Sequence, residues 1–191
     1  MTNKKNNYTA KRLVLNAMLI AIYVVLRYFN IPVGNYFRFT LAPFSVILCA
    51  MLFGPVDALT VGFLGEFLSQ ILGPYGLTHT TLLWCIGETV RGGTLGLMLW
   101  LSNRNSSDAS AQKSKKKRLY LLICCGFTGI LAALGQTLAL YVDSKLFGYY
   151  THLMVFGVMI WRILVYIVVA VLLGYLSLPI IAALRKAKLV P

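Results

Sequence analysis

Negative charge is what this sequence has least of: five Asp and Glu stand among 191 residues, against 18 Lys and Arg. Charge of either sign makes up only 12% and apolar residues 59%, where a soluble domain carries about a quarter charged residues. This excludes an ordinary water-soluble domain and points to a lipid environment. The net charge of +13 does not indicate nucleic acid, because the basic residues sit at the edges of apolar runs, where they set topology. Cysteine is limited to Cys49, Cys85, Cys124 and Cys125, all within apolar stretches. With no CxxC pair and no His/Cys cluster at ligand spacing, they read as packing residues, and no metal or cofactor is expected. The G-x-x-x-x-G-K-[ST] phosphate loop, the G-x-S-x-G elbow and the H-E-x-x-H helix are all missing, which argues against ATP hydrolysis or hydrolytic chemistry by this chain.

What is present is a series of apolar runs punctuated by Gly, Pro or charge. They predict six membrane spans at about 12–29, 40–53, 56–72, 79–101, 119–142 and 153–183. The basic N-terminus shows no small-residue cleavage site before its apolar run ends, so it is expected to remain as the first span. Three basic segments, "NKKNNYTAKR", "NRNSSDASAQKSKKKR" at 103–118 and "RKAKLVP", share one side of the membrane only if four spans separate the first two and two spans the last two. The expected fold is all-α, a single transmembrane domain over 1–191 with both termini cytoplasmic. Residues 103–118 read as a flexible cytoplasmic linker. "FGPVDA" reads as a tight turn between the second and third spans. Segments 30–39, 73–78 and 143–152 face outward, short, aromatic and glycine-bearing.

The polar residues inside these runs carry the functional reading, because an ionisable group in a membrane normally faces a protein interior or a water-filled cavity. At 1.5 Å of rise per residue, Glu66, Gln70, Glu88, Gln136 and Arg162 all fall in the outer half. Trp84, Glu88 and Arg91 recur at i, i+4 and i+7, and Glu66 and Gln70 at i and i+4, so each set shares a helix face. With Trp161 and Tyr141, and with His79 and His152 at the rim, they describe an outward-facing concave site with aromatic walls. Such a site suits a flat heteroaromatic ligand. The competing reading makes Glu88 with Arg91, or Glu88 with Arg162, a structural ion pair. Ala17 and Ala21 form a small-xxx-small pattern on the first span, as do Gly92 with Gly96 and Ala170 with Gly174 on others.

Taken together, six spans, the Ala17/Ala21 pattern and the stretch "YFRFTLAPFSVILCAMLFGP" at 36–55 resemble the substrate-binding subunit, or S-component, of an energy-coupling-factor (ECF) vitamin transporter. Arg38, Phe39, Pro43 and "MLFGP" resemble the folate branch in particular, which implies a role for Arg38 at the substrate. The outer segment "GEFLSQILGPYGLTHTTL" departs from that branch, and a glutamate halfway down the fourth span is reminiscent of thiamin-type members. The resemblance implies uptake of a vitamin, folate or a related pterin first, then thiamin, hydroxymethylpyrimidine or pyridoxine. It also implies docking through Ala17 and Ala21 on a transmembrane coupling subunit that works with two ATPase subunits, in the plasma membrane of a prokaryote. A stand-alone carrier using Glu88 as its proton site is the alternative.

Overall fold

The computed structural model describes residues 10–33, 37–73, 76–104 and 112–186. They form six α-helices: α1 (Ala10–Tyr28), α2 (Pro43–Phe53), α3 (Pro55–Ile71), α4 (Thr81–Arg104), α5 (Gln112–Leu146) and α6 (Met159–Lys186). Short connections alternate their direction, so α1 and α3 run the same way, and so do α2 and α4. A single π-helical turn, Leu153–Gly157, precedes α6. Between α1 and α2 the chain makes an antiparallel ribbon of β1 (Asn30–Val33) and β2 (Phe37–Thr40), with Asn30 opposite Thr40 and Val33 opposite Phe37. The segment expected as an irregular outer loop is thus a small ribbon on an otherwise helical fold, with Pro32 tolerated because neither strand has a second neighbour.

Local chemistry explains the breaks. Proline opens both α2 and α3, where its missing N–H is no loss. Gly54 alone separates those helices at φ +94°, a left-handed conformation that strains any residue with a Cβ. The "MLFGP" stretch is therefore a helix end, a hinge glycine and a helix start. The 103–118 segment departs from expectation: α4 continues to Arg104 and α5 begins at Gln112, and only 105–111 lies outside the described residues. Lys, Gln and Arg are good helix formers, so a charged stretch extends a helix into water as readily as it makes a linker.

The core is built around α2, which packs on α1, α3, α4 and α6 and buries Val46, Ile47, Leu48, Cys49 and Ala50. Close backbone approach knits the walls together. A Cβ on Gly92 would stand 2.3 Å from the Ala58 carbonyl oxygen, and one on Gly62 2.7 Å from the Glu88 carbonyl oxygen. A Cβ on Gly174 would stand 2.7 Å from the Cys125 Sγ. Both the Gly92/Gly96 and the Ala170/Gly174 patterns serve packing inside the bundle. Outside, Leu64, Leu82, Ile123 and Leu172 are exposed while Glu66, Glu88 and Arg91 are buried, the reverse of a soluble protein and the pattern lipid requires. The stretches Arg118–Leu146 and Leu153–Leu184 are long and apolar enough to cross a membrane.

Candidate functional site

Because α1 and α3 run in parallel, positions about ten residues apart on each meet in two layers. Near the start of α1, Arg12 donates to Asp57 and, at 2.6 Å, to the Phe53 carbonyl, while Asn16 donates to the other Asp57 oxygen at 2.9 Å. Nearer the ribbon, Glu66 is fully buried and accepts from the Tyr23 hydroxyl at 2.6 Å, from Arg27 at 3.0 Å and from the Gln70 amide at 2.8 Å. The sequence reading missed Asn16, Tyr23, Arg27 and Asp57. The i, i+4 spacings of Arg12 with Asn16 and of Tyr23 with Arg27 were the available signal, since each places two hydrogen-bonding groups on one face of an apolar helix.

A second polar group lies across from Glu66. Seven residues, about 10 Å, into α4, Glu88 and Arg91 sit 3.3 Å apart, with side chains only 6% and 2% exposed. The contact is electrostatic rather than a hydrogen bond: Glu88 Oε2 and Arg91 Nε and Nη1 have no hydrogen-bond partner among the described residues. The Arg91 guanidinium lies over the Tyr166 ring of α6, 5.3 Å from its centroid, which holds it by a cation–π contact. Tyr166 is also within electrostatic range of Glu66 and Arg27, so α1, α3, α4 and α6 converge here.

From α5 and α6, Gln136 donates to the Trp84 carbonyl at 3.4 Å and Arg162 to the Thr137 hydroxyl at 3.2 Å. Both are buried, and no carboxylate pairs with Arg162 among the described residues. On the α2 side, Gly92 packs on Val46; one turn toward the ribbon stand Glu88 and Ala42, just before α2 begins at Pro43. Tyr23, Ala42 and Val46 make a buried cluster at that level.

The structure joins Glu66 to Gln70 by a hydrogen bond and sets Glu88 within electrostatic range of Glu66; Gln136 and Arg162 are buried on α5 and α6 with Trp84 and Thr137 as their partners, and the Trp84 side chain is half-buried. Glu88 is paired with Arg91 rather than with Arg162. Trp161 is 56% exposed and faces away from the buried groups, because it neighbours Arg162 on a helix whose inward face Arg162 occupies. His79 and His152 are exposed. Arg38 lies in β2 opposite Pro32, and its side chain is outside the described residues. Ala17 and Ala21 are exposed on α1 in a strip with Leu13, Val14, Met18 and Val25. No group of three His, Cys, Asp or Glu is placed to hold a metal ion among the described residues.

At the ribbon end of the bundle, Asp143 accepts from the hydroxyls of Thr80 and Tyr149, tying the start of α4 to the segment after α5. Desolvation and the Asp143 carboxylate push the Tyr149 phenol up to about 12. Lys145 covers the Tyr150 ring at 4.1 Å.

A helical bundle with apolar outer faces is the fold this chain shares with S components, the substrate-specific subunits of ECF transporters. Two solved structures share this fold. One is the S component of a bacterial ECF transporter, with a TM-score of 0.64 at 19% identity, covering 92% of this chain and 98% of that one. The other is the S-component for biotin from an ECF-type ABC transporter, with 0.63 at 18%, covering 96% and 95%. The family model described as "ECF-type riboflavin transporter, S component" matches residues 7–186, and the chain belongs to that family. Curated relatives include the UPF0397 protein of Aliivibrio fischeri, 32% identical over 147 residues, and that of Aliivibrio salmonicida, 27% over 146; each match covers 74% of both chains. The family is described by riboflavin, not by folate, which the 36–55 segment resembles.

Proposed function

We propose that the chain binds a flat heteroaromatic vitamin from outside, above the end of α2 and beneath the β1–β2 ribbon. Glu88, Gln136 and Arg162 supply the polar contacts, Trp84 a wall, and Gln70 and Arg38 the outer edge. The observation that carries this reading is that buried polar groups on α3, α4, α5 and α6 lie at about one depth, where an isolated ion pair would need only two of them. Riboflavin, the vitamin in the family description, is the first ligand to test; folate, the preference drawn from the 36–55 resemblance, comes after it.

Six spans with both termini cytoplasmic fit the helix order, since alternating directions bring the basic ends near residues 10, 104, 112 and 186 to one side. ATP is hydrolysed by partner subunits, and the exposed Ala17/Ala21 strip of α1 docks on a transmembrane coupling subunit. Two bulky substitutions test this. Ala17→Trp or Ala21→Trp should abolish uptake of labelled riboflavin by vesicles containing the coupling subunit and ATPases while leaving equilibrium binding within about twofold, because surface positions away from a site usually move free energies by under about 0.5 kcal/mol. Uptake unchanged by both, or ATP-independent uptake by this chain alone, would refute the docking role.

A further inference from the structure

We infer that the Glu88–Arg91 pair reads one edge of the substrate, a ring carbonyl beside a ring N–H, as found in a lactam, imide or cyclic urea. This rests on the reading of the site given above and narrows it to a class of ligand. Three atoms of the pair, Glu88 Oε2 and Arg91 Nε and Nη1, are buried without a hydrogen-bond partner among the described residues. Buried polar atoms are almost always satisfied, and unsatisfied charged ones are the most costly. Those left over here are an acceptor and donors side by side. A carbonyl oxygen takes the guanidinium N–H groups on its lone pairs while the adjacent ring N–H donates to the carboxylate.

The charge of the pair selects against other ligand edges. Glu88 and Arg91 neutralise one another, so a ligand carboxylate drawn to Arg91 would meet Glu88, and an ammonium drawn to Glu88 would meet Arg91; a neutral edge of mixed polarity meets neither penalty. The pair is also held in place. Gly62 lets α3 close on the Glu88 backbone, and the Tyr166 ring lies beneath the guanidinium. Glu88 stands one turn toward the ribbon from the Gly92–Val46 contact, level with the start of α2. The Glu66 carboxylate shows the contrast, its donors all supplied by the protein.

The test is a binding titration of the purified full chain in detergent with riboflavin, folate, biotin, thiamin and pyridoxine, followed by the N-methylated form of whichever ring N–H ligand binds. Riboflavin, folate and biotin carry the edge; thiamin and pyridoxine do not. The expected result is binding by an edge-bearing ligand, weakened about 10- to 100-fold by N-methylation, the range for a hydrogen bond to a charged group. The double variant Glu88→Gln/Arg91→Gln should weaken the parent ligand at least as much, yet show a smaller N-methylation penalty. Binding of thiamin or pyridoxine alone, or an N-methyl ligand bound as well as its parent, would overturn the inference and leave the S-component reading standing. The methylated ligand needs no variant, so a variant that fails to fold does not shelter the idea. If none of the five binds and none is taken up by vesicles with the coupling module, the proposed function fails and this inference with it.

Discussion

Glu66 and Glu88 are both buried glutamates toward the ribbon end of one bundle, and they are finished differently. Glu66 has three donors, from Tyr23, Arg27 and Gln70. Glu88 has Arg91 3.3 Å away, and among the described residues its Oε2 and the Arg91 Nε and Nη1 have no hydrogen-bond partner. The first arrangement locks α1 to α3, since two of the donors come from α1. The second leaves hydrogen-bonding capacity unspent among the described residues although both side chains are buried. Sequence position and burial do not distinguish the two carboxylates; the inventory of their partners does.

The largest break in this comparison should come from Glu66→Leu, which strands the Tyr23 hydroxyl, the Gln70 amide and a partly buried Arg27. A loss of about 3 kcal/mol of stability is expected, read as a fall in the thermal midpoint in detergent, with ligand affinity of the surviving folded fraction changed far less. Unaltered stability would mean that Glu66 does not fasten the helices.

Gly92→Leu comes next, because any Cβ there meets the Ala58 backbone oxygen at 2.3 Å. Forcing α3 from α4 should cost about 1–3 kcal/mol and disturb Glu88 more than Glu66, so binding weakens together with stability. A Leu variant that melts like the parent would show that this line of contact is loose. Trp161→Ala should do least. An exposed side chain predicts a change within about 0.5 kcal/mol and an unaltered titration curve; a large loss of affinity would bring Trp161 back to the ligand.

Much of this architecture was legible beforehand. Apolar runs bounded by Gly, Pro and charge placed the helices, and the i, i+4 spacings put Glu66 with Gln70 and Trp84 with Glu88 on shared faces. Three features were not. The 30–40 ribbon has no alternating pattern, so an outer loop was the natural reading. The basic stretch before Leu119 was helical because propensity, not hydrophobicity, governs a helix outside lipid. The partner of Glu66 depended on α1 and α3 being parallel neighbours, a tertiary fact, so Tyr23 and Arg27 looked like ordinary residues at the end of a first span. Trp161 shows the same limit in reverse: adjacency to Arg162 in sequence puts it on a different face.

The most direct test is to measure the thermal midpoint and the riboflavin affinity of Glu88→Gln/Arg91→Gln beside the parent protein. Replacing both members of a buried ion pair is often neutral or stabilising when the pair is not needed for the fold. The account predicts a midpoint equal to or above the parent's, with riboflavin binding weakened at least tenfold. A lowered midpoint with riboflavin affinity unchanged would contradict it and make Glu88 and Arg91 a structural pair.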